Sequence, residues 1–368
     1  MIGRMQTPQA TDVAVIGAGP IGLELAVALK RRGVDYLHFD ARQIGHTISW
    51  FAPHTRFFSS NERIAIAGVP LQTPDQNKCT REQYLAYLRT VVDQYDLDVR
   101  TYEPVVGIDR PSPRGPFVLT TRPQSGERTF RANRVVLVTG GTDRPRRLNI
   151  AGEDLPHVSH YFDDPHKYFR KRLLVVGGKN SAVEAALRCH NAGANVSLSY
   201  RREKLPHKSI KYWLLPEING LIESRRMTAY FGTVPAEITP VRVRLEPWTD
   251  PEAPAKDPSF FPLTAERRAL NVPFDFVLLL TGYEADMTLC RLAGVELRGV
   301  CQVPAFDERT METNVPGVYV AGTAVAGTQD KYRVFIENCH VHVDRIVAAL
   351  TGAAAPAAAP VEYSRPES

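Results

Sequence analysis

Gly17, Gly19 and Gly22 lie in the run Val13-Ala14-Val15-Ile16-Gly17-Ala18-Gly19-Pro20-Ile21-Gly22. Their spacing suits a turn that brings backbone N–H groups up to a pyrophosphate at a helix N-terminus. The first glycine permits the tight turn, the second lets the backbone approach the phosphates, and the third lets the helix pack on its strand. Asp40 closes the next apolar run, Tyr36 to Phe39, about twenty residues on, the right place for a carboxylate that accepts from adenosine ribose hydroxyls. A second run, Leu173-Leu174-Val175-Val176-Gly177-Gly178-Lys179-Asn180-Ser181-Ala182, follows about 160 positions later. Here the next strand, Asn195 to Tyr200, ends in Arg201-Arg202 instead of an acid. Guanidinium forks suit a 2′-phosphate. The first turn calls for a free ribose and the second for a phosphate, so the expected pair is FAD on Gly17, Gly19, Pro20, Gly22 and Asp40, and NADPH on Gly177 to Ala182 with Arg201 and Arg202.

Lys179 stands where such a turn normally has glycine. A side chain there obstructs a pyrophosphate unless the backbone is re-routed, or it supplies a charge to the same phosphates. Ala182 in place of the packing glycine is a common variant.

Each turn needs a strand before it and a helix after it. Val13 to Ile16 is the first strand, and Pro20 to Arg32 carries Ile21, Leu23, Leu25, Ala26 and Leu29 on one helical face. Residues 1–11 read as a disordered start. Ser49 to Ser60, rich in aromatic and small polar residues, reads as a wall for the flavin ring, with Trp50, His54 and Ile21 as candidates for its pocket. Arg81 to Gln94 reads as a helix. Val105 to Ile108, Phe117 to Thr121 and Thr129 to Phe130 read as strands of an antiparallel meander. Arg134 to Gly141 and Phe276 to Tyr283 are buried strands ending in glycine turns. Val318 to Thr323 is a third, adding Gly140, Gly322 and Thr323 to the FAD set, and a helix is expected from about Phe335 to Leu350.

In two-dinucleotide flavoproteins, which this pattern resembles, strands like Arg134 to Gly141 and Phe276 to Tyr283 mark where the chain leaves and re-enters the flavin domain. The expected fold is therefore α/β: two Rossmann-like three-layer domains, the nicotinamide domain inserted into a discontinuous FAD domain. Its boundaries are 1–147 and 274–352 for the FAD domain, 148–273 for the NADPH domain, and 353–368 for a low-complexity, disordered tail.

A chain of 368 residues, 43% hydrophobic and 23% charged, has room for about two ordinary cores. The net charge of +5 is spread along the chain, so small anions explain it better than nucleic acid does. No charged-then-apolar leader precedes Val13, and no apolar run approaches the roughly 18 residues of a membrane span. The expectation is a cytoplasmic protein with no membrane or nucleic-acid partner. Ten histidines form neither H-E-x-x-H nor a Cys/His zinc spacing, so no metal is expected. There is no G-x-S-x-G elbow of a hydrolase. The five cysteines, Cys79, Cys189, Cys290, Cys301 and Cys339, show no C-x-x-C. They read as small apolar residues, and no resolving pair is present for a thiol relay.

Together these residues resemble the two-dinucleotide flavoproteins related to thioredoxin reductase, and within them the bacillithiol disulfide reductase family. The resemblance covers nearly the whole chain. It includes His54 with Phe57-Phe58-Ser59-Ser60, His160-Tyr161-Phe162, the Gly177 to Ala182 run with its Lys179, Ser209-Ile210-Lys211 with Trp213, and Phe335-Ile336-Glu337-Asn338. It implies a homodimeric FAD enzyme that passes electrons from NADPH to a low-molecular-weight disulfide. Val158 to Asp164 falls where thioredoxin reductases carry their C-x-x-C. Two positions depart from the pattern. The bacillithiol-type family commonly has a cysteine where this chain has Ile21, and thioredoxin reductases have an aspartate where this chain has Thr323. A ferredoxin- or quinone-type NADPH reductase on the same scaffold also needs no C-x-x-C. A flavin monooxygenase is the weaker alternative, because the F-x-G-x-x-x-H segment expected before the second turn is absent from Gly152 to His160 of this chain. A redox-sensing flavoprotein with negligible turnover is the alternative from another class.

Overall fold

A computed structural model of the chain describes residues 8–248, 268–329 and 333–352. These divide into two units. The expected tail at 353–368 lies outside the described residues.

The first unit comprises the chain up to Trp50, His54–Arg144, and the chain from Tyr283 on. Its early elements are β1 (Gln9–Ile16), α1 (Pro20–Arg31), β2 (Tyr36–Phe39), α2 (Arg81–Gln94), β3 (Val99–Arg100), β4 (Val105–Asp109), β5 (Phe117–Thr121) and β6 (Arg128–Leu137). β1 begins at Gln9, so residues 9–11 belong to the sheet and not to a disordered start. Gln9, Ala10 and Thr11 are held there by pairing with Phe130, Arg131 and Ala132. β6 is one strand of 10 residues where two separate strands were expected. Its first half pairs antiparallel with β5 and its second half parallel with a later strand, while β1 runs beside both halves.

The second unit comprises Phe51–Pro53 and Pro145–Gly282, slightly wider than 148–273. It contains β7 (Val158–Ser159), β8 (Arg172–Val176), α3 (Asn180–Asn191), β9 (Asn195–Tyr200), α4 (Leu215–Glu223), β10 (Thr228–Phe231), β11 (Thr233–Ile238), β12 (Arg242–Pro247), β13 (Leu270–Pro273) and β14 (Phe276–Leu279). The first unit then resumes with β15 (Val318–Val320) and α5 (His340–Thr351).

In the first unit the sheet order is β3-β2-β1-β6-β5-β4, with β15 also on β6. Alternation along β1 sorts its side chains by face. Val13 and Val15 pack with Ile21, Leu25 and Leu29 of α1 and Val343 and Ile346 of α5. Ala14 and Ile16 pack on the other face with Phe39, Leu119 and Met287. The second unit repeats this logic on a five-stranded parallel sheet ordered β10-β9-β8-β14-β7. Leu173 and Val175 of β8 face the helical layer with Ala182, Val183 and Ala186 of α3. Leu174 and Val176 face the antiparallel sheet β11-β12-β13 through Ile238, Val243 and Leu245. Each such fully buried aliphatic contributes about 1.5–3 kcal/mol, which fixes the strand register and thereby the turns at the strand ends. Both units are Rossmann-like and three-layered, and the second is inserted in the sequence of the first.

The last helix starts at His340, later than Phe335. The side chain of Asn338 intercepts the segment before it: Oδ1 accepts from the Phe335 N–H at 2.8 Å, and Nδ2 donates to the Arg333 carbonyl at 2.8 Å. Ile336–Asn338 is accordingly a single 3₁₀ turn.

Candidate functional site

Three glycines of the first turn have three different reasons to be glycine. Gly17 has φ +115°, and a Cβ on it would stand 2.3 Å from the Val138 carbonyl oxygen. A Cβ on Gly22 would stand 2.0 Å from the Gly17 carbonyl oxygen. These two are required by the protein's own packing. Gly19 has nothing within 4 Å of such a Cβ, so the space over it is open. That open space lies at the N-terminus of α1, where Gly19 is the N-cap, no side chain caps the helix and no acid occupies the first turn. Pro20 supplies the φ of the first helical position. By contrast α2, at no glycine turn, has a complete capping box from Thr80 and Gln83. The arrangement at Gly19 fits a bound pyrophosphate.

Asp40 is tied to this turn. Its Oδ2 accepts from the Ala18 N–H at 2.6 Å and its Oδ1 from the Arg42 N–H at 2.7 Å. Burial pushes its carboxyl upward, opposed by those two N–H donors. Two further residues were not read from the sequence. His38, fully buried on β2, donates from Nε2 to the Gly17 carbonyl at 3.0 Å. Burial lowers it to about 4, so it is neutral at pH 7. His342 of α5 accepts at Nδ1 from the Gly322 N–H at 3.2 Å, and burial lowers it too to about 4. A histidine in an otherwise apolar stretch was the available signal in each case.

The other expected FAD positions meet in the same unit. The Gly141 N–H donates to Thr323 Oγ1 at 2.8 Å, which joins the turn after β6 to the turn after β15. Gly140 and Gly322 both have positive φ, +81° and +67°. Ile21 is only 4% exposed, its Cβ near the place a Cβ on Gly322 would take. The Trp50 ring meets Tyr283 edge-on with centroids 4.9 Å apart. The backbone N–H of His54, at φ +61°, donates to Glu82, and its side chain is largely exposed.

The second turn is built alike. Gly177 has φ +140°, and a Cβ on it would lie 2.5 Å from the Leu280 carbonyl oxygen and 2.9 Å from the Ala182 Cβ. A Cβ on Gly178 would meet the Tyr200 ring at 2.5 Å. Lys179 is the N-cap of α3, which has no side-chain cap and no acid in its first turn. Asn180 is committed to the fold: its Oδ1 accepts from the Lys211 N–H at 2.6 Å. Lys211 in turn places Nζ 2.8 Å from Glu184 of α3, both side chains largely buried. Ser181 is exposed and Ala182 buried. Arg201 and Arg202 lie exposed just past β9.

Cys79, Cys189, Cys290 and Cys339 are buried. Burial pushes Cys79, Cys189 and Cys290 up to about 12 and Cys339 higher still. Cys301 is the one that is partly exposed. Among the described residues no three His, Cys, Asp or Glu side chains group to hold a metal, and no helix is long and apolar enough to cross a membrane.

Residues 14–322 match the family model of pyridine nucleotide-disulphide oxidoreductases. The chain is 34% identical to bacilliredoxin reductase Bdr of Bacillus subtilis (strain 168) over 91% of its own length and 95% of that protein's. The structure of bacillithiol disulfide reductase Bdr (YpdA) from Bacillus cereus superimposes with a TM-score of 0.83 at 33% identity, covering 93% of this chain and 99% of that one. A ferredoxin–NADP reductase of Ignicoccus hospitalis is 27% identical, covering 84% of this chain and 89% of the relative. The chain belongs to the pyridine nucleotide-disulphide oxidoreductases, within them to the Bdr family, and is an oxidoreductase that uses FAD and NADPH.

Proposed function

We propose that this protein reduces a low-molecular-weight disulfide, with the balance NADPH + H⁺ + RSSR → NADP⁺ + 2 RSH. Bound FAD would supply the two-electron relay between the hydride donor NADPH and the acceptor. The first unit binds FAD: Gly17, Gly19, Pro20 and Gly22 receive the pyrophosphate, Asp40 the ribose, and Gly140, Gly322 and Thr323 the rest of the cofactor. The second unit binds NADPH through Gly177 to Ala182 and through Arg201 and Arg202. Trp50, His54 and Ile21 line the flavin pocket of the first unit. The protein works in the cytoplasm as a homodimer and without a nucleic-acid or membrane partner.

The observation that carries this reading is the presence, in a chain similar to Bdr over nearly its full length, of one glycine turn closed by an acid and one by two arginines. The relatives' names give two acceptors, a bacilliredoxin and bacillithiol disulfide. We place the small disulfide first. Ile21, a buried aliphatic side chain, favours a second reading as a ferredoxin- or quinone-type NADPH reductase, in keeping with the Ignicoccus relative. Anaerobic NADPH oxidation by the purified protein with low-molecular-weight disulfides, a ferredoxin and quinones separates the two. Multiple turnovers with a disulfide alone support the first reading; turnover with ferredoxin or quinone alone replaces it.

A further inference from the structure

Arg201 does not leave β9 alone. Its guanidinium carbon lies 5.8 Å from the centroid of the Trp248 indole, the residue that follows β12. Two backbone bonds hold the pair in register. The Gly232 N–H donates to the Arg202 carbonyl at 3.1 Å, and the Trp248 N–H donates to the Gly232 carbonyl at 2.8 Å. Gly232 has φ +68° and is the single residue between β10 and β11, the point where the chain passes from the parallel sheet to the antiparallel one. The basic pair at the end of β9 and the indole at the end of β12 are thus fixed to opposite sides of one glycine.

An exposed arginine at a strand end is rotamer-rich, and holding it over a phosphate costs conformational entropy. An indole beside the guanidinium offers its negative face to the cation, restricts the rotamers, and leaves the fork's N–H donors free for a phosphate. We infer that Trp248 is a positioning residue for Arg201, an indole platform that sets the preference for the coenzyme bearing a 2′-phosphate. This rests on the assignment of Arg201 and Arg202 to that phosphate.

The test compares NADPH and NADH in steady-state turnover of the holoenzyme with ferricyanide as the electron acceptor. Trp248→Ala and Trp248→Leu are expected to raise KM for NADPH by about two- to fivefold, the scale of an exposed cation–π contact, with kcat and the NADH parameters unchanged. Trp248→Phe, which restores a ring, is expected to recover most of the NADPH preference. In an Arg201→Ala background, Trp248→Ala is expected to change the NADPH:NADH ratio no further. The inference is overturned if Trp248→Leu leaves the ratio intact, or if it weakens NADPH and NADH equally, as loss of a merely structural ring or an adenine contact would. Replacing Arg201 and Arg202 together by alanine checks the underlying assignment: an unchanged coenzyme ratio there removes the phosphate site itself, whereas a lost NADPH preference with no effect of Trp248→Leu removes only the role of Trp248.

Discussion

Thr323 Oγ1 accepts the Gly141 N–H at 2.8 Å, a hydrogen bond between residues 182 positions apart that ties the glycine turn after β6 to the one after β15. The hydroxyl is therefore a structural acceptor, independent of any contact it makes with FAD. Thr323→Val keeps the shape of the side chain and removes the acceptor, leaving a part-buried N–H unmatched at a cost of roughly 1–3 kcal/mol. FAD affinity is expected to fall about tenfold on that scale, read as flavin lost on gel filtration, while Thr323→Ser retains its flavin.

The ion pair of Lys211 and Glu184 pins the segment after β9 to α3, together with the bond from the Lys211 N–H to Asn180. Truncating one partner of a fully buried pair costs roughly 3–5 kcal/mol, and less here because Glu184 keeps some exposure. Lys211→Ala is expected to lower the melting temperature by several degrees and to weaken NADPH and NADH alike. A Lys211→Met, Glu184→Gln double variant removes the stranded charge and is expected to recover most of the stability in the same melting experiment.

His38 and His342 make the fold sensitive to acid. Both are neutral in the folded protein, lowered by burial from the usual 6.5 to about 4; Arg345 and His340 add to the effect at His342. Between those values the unfolded chain binds more protons than the folded one, so stability falls as pH drops from about 6.5 towards 4 and is unaffected by these groups above that window. The ceiling is roughly 3 kcal/mol each. His340, next to His342 on α5, acts in the opposite sense. Burial pushes it down, but the Glu24 carboxylate at 2.7 Å and the Arg63 carbonyl outweigh burial and raise it, so its contribution is present at low pH and lost as pH rises through its folded value. His342→Gln keeps an acceptor for the Gly322 N–H and cannot titrate. Urea unfolding at pH 7, 6 and 5 is expected to show a shallower loss for that variant than for the unmodified protein.

The glycine turns were legible because their requirement is local: a positive φ at Gly17 and Gly177, and strand and helix patterns on either side. Asp40, Arg201 and Arg202 follow their turns at fixed offsets, which made their places just past the strand after each turn legible too. His38, His342, Lys211 and Trp248 were not legible in these roles. Each meets a residue 20 or more positions away in sequence, through a contact that only the packed sheets create. β6 escaped for a related reason. Its midpoint, Ala132-Asn133-Arg134, alternates as a strand between two different partners, and neither half alone shows a run of 10 residues.

On the proposed function, electrons reach a small disulfide without a C-x-x-C relay. Four of the protein's cysteines are buried with their thiols pushed far from ionisation, and Cys301 alone is partly exposed. The most direct measurement is anaerobic stopped-flow absorbance of a variant in which Cys79, Cys189, Cys290, Cys301 and Cys339 are all replaced by serine or alanine. The flavin is expected to be bleached by NADPH as in the unmodified protein, and its colour to return on adding a low-molecular-weight disulfide. A variant that folds, holds FAD and is bleached by NADPH, yet regains no colour with the disulfide that reoxidises the unmodified protein, would contradict the claim and make a single cysteine, Cys301 first, part of the route.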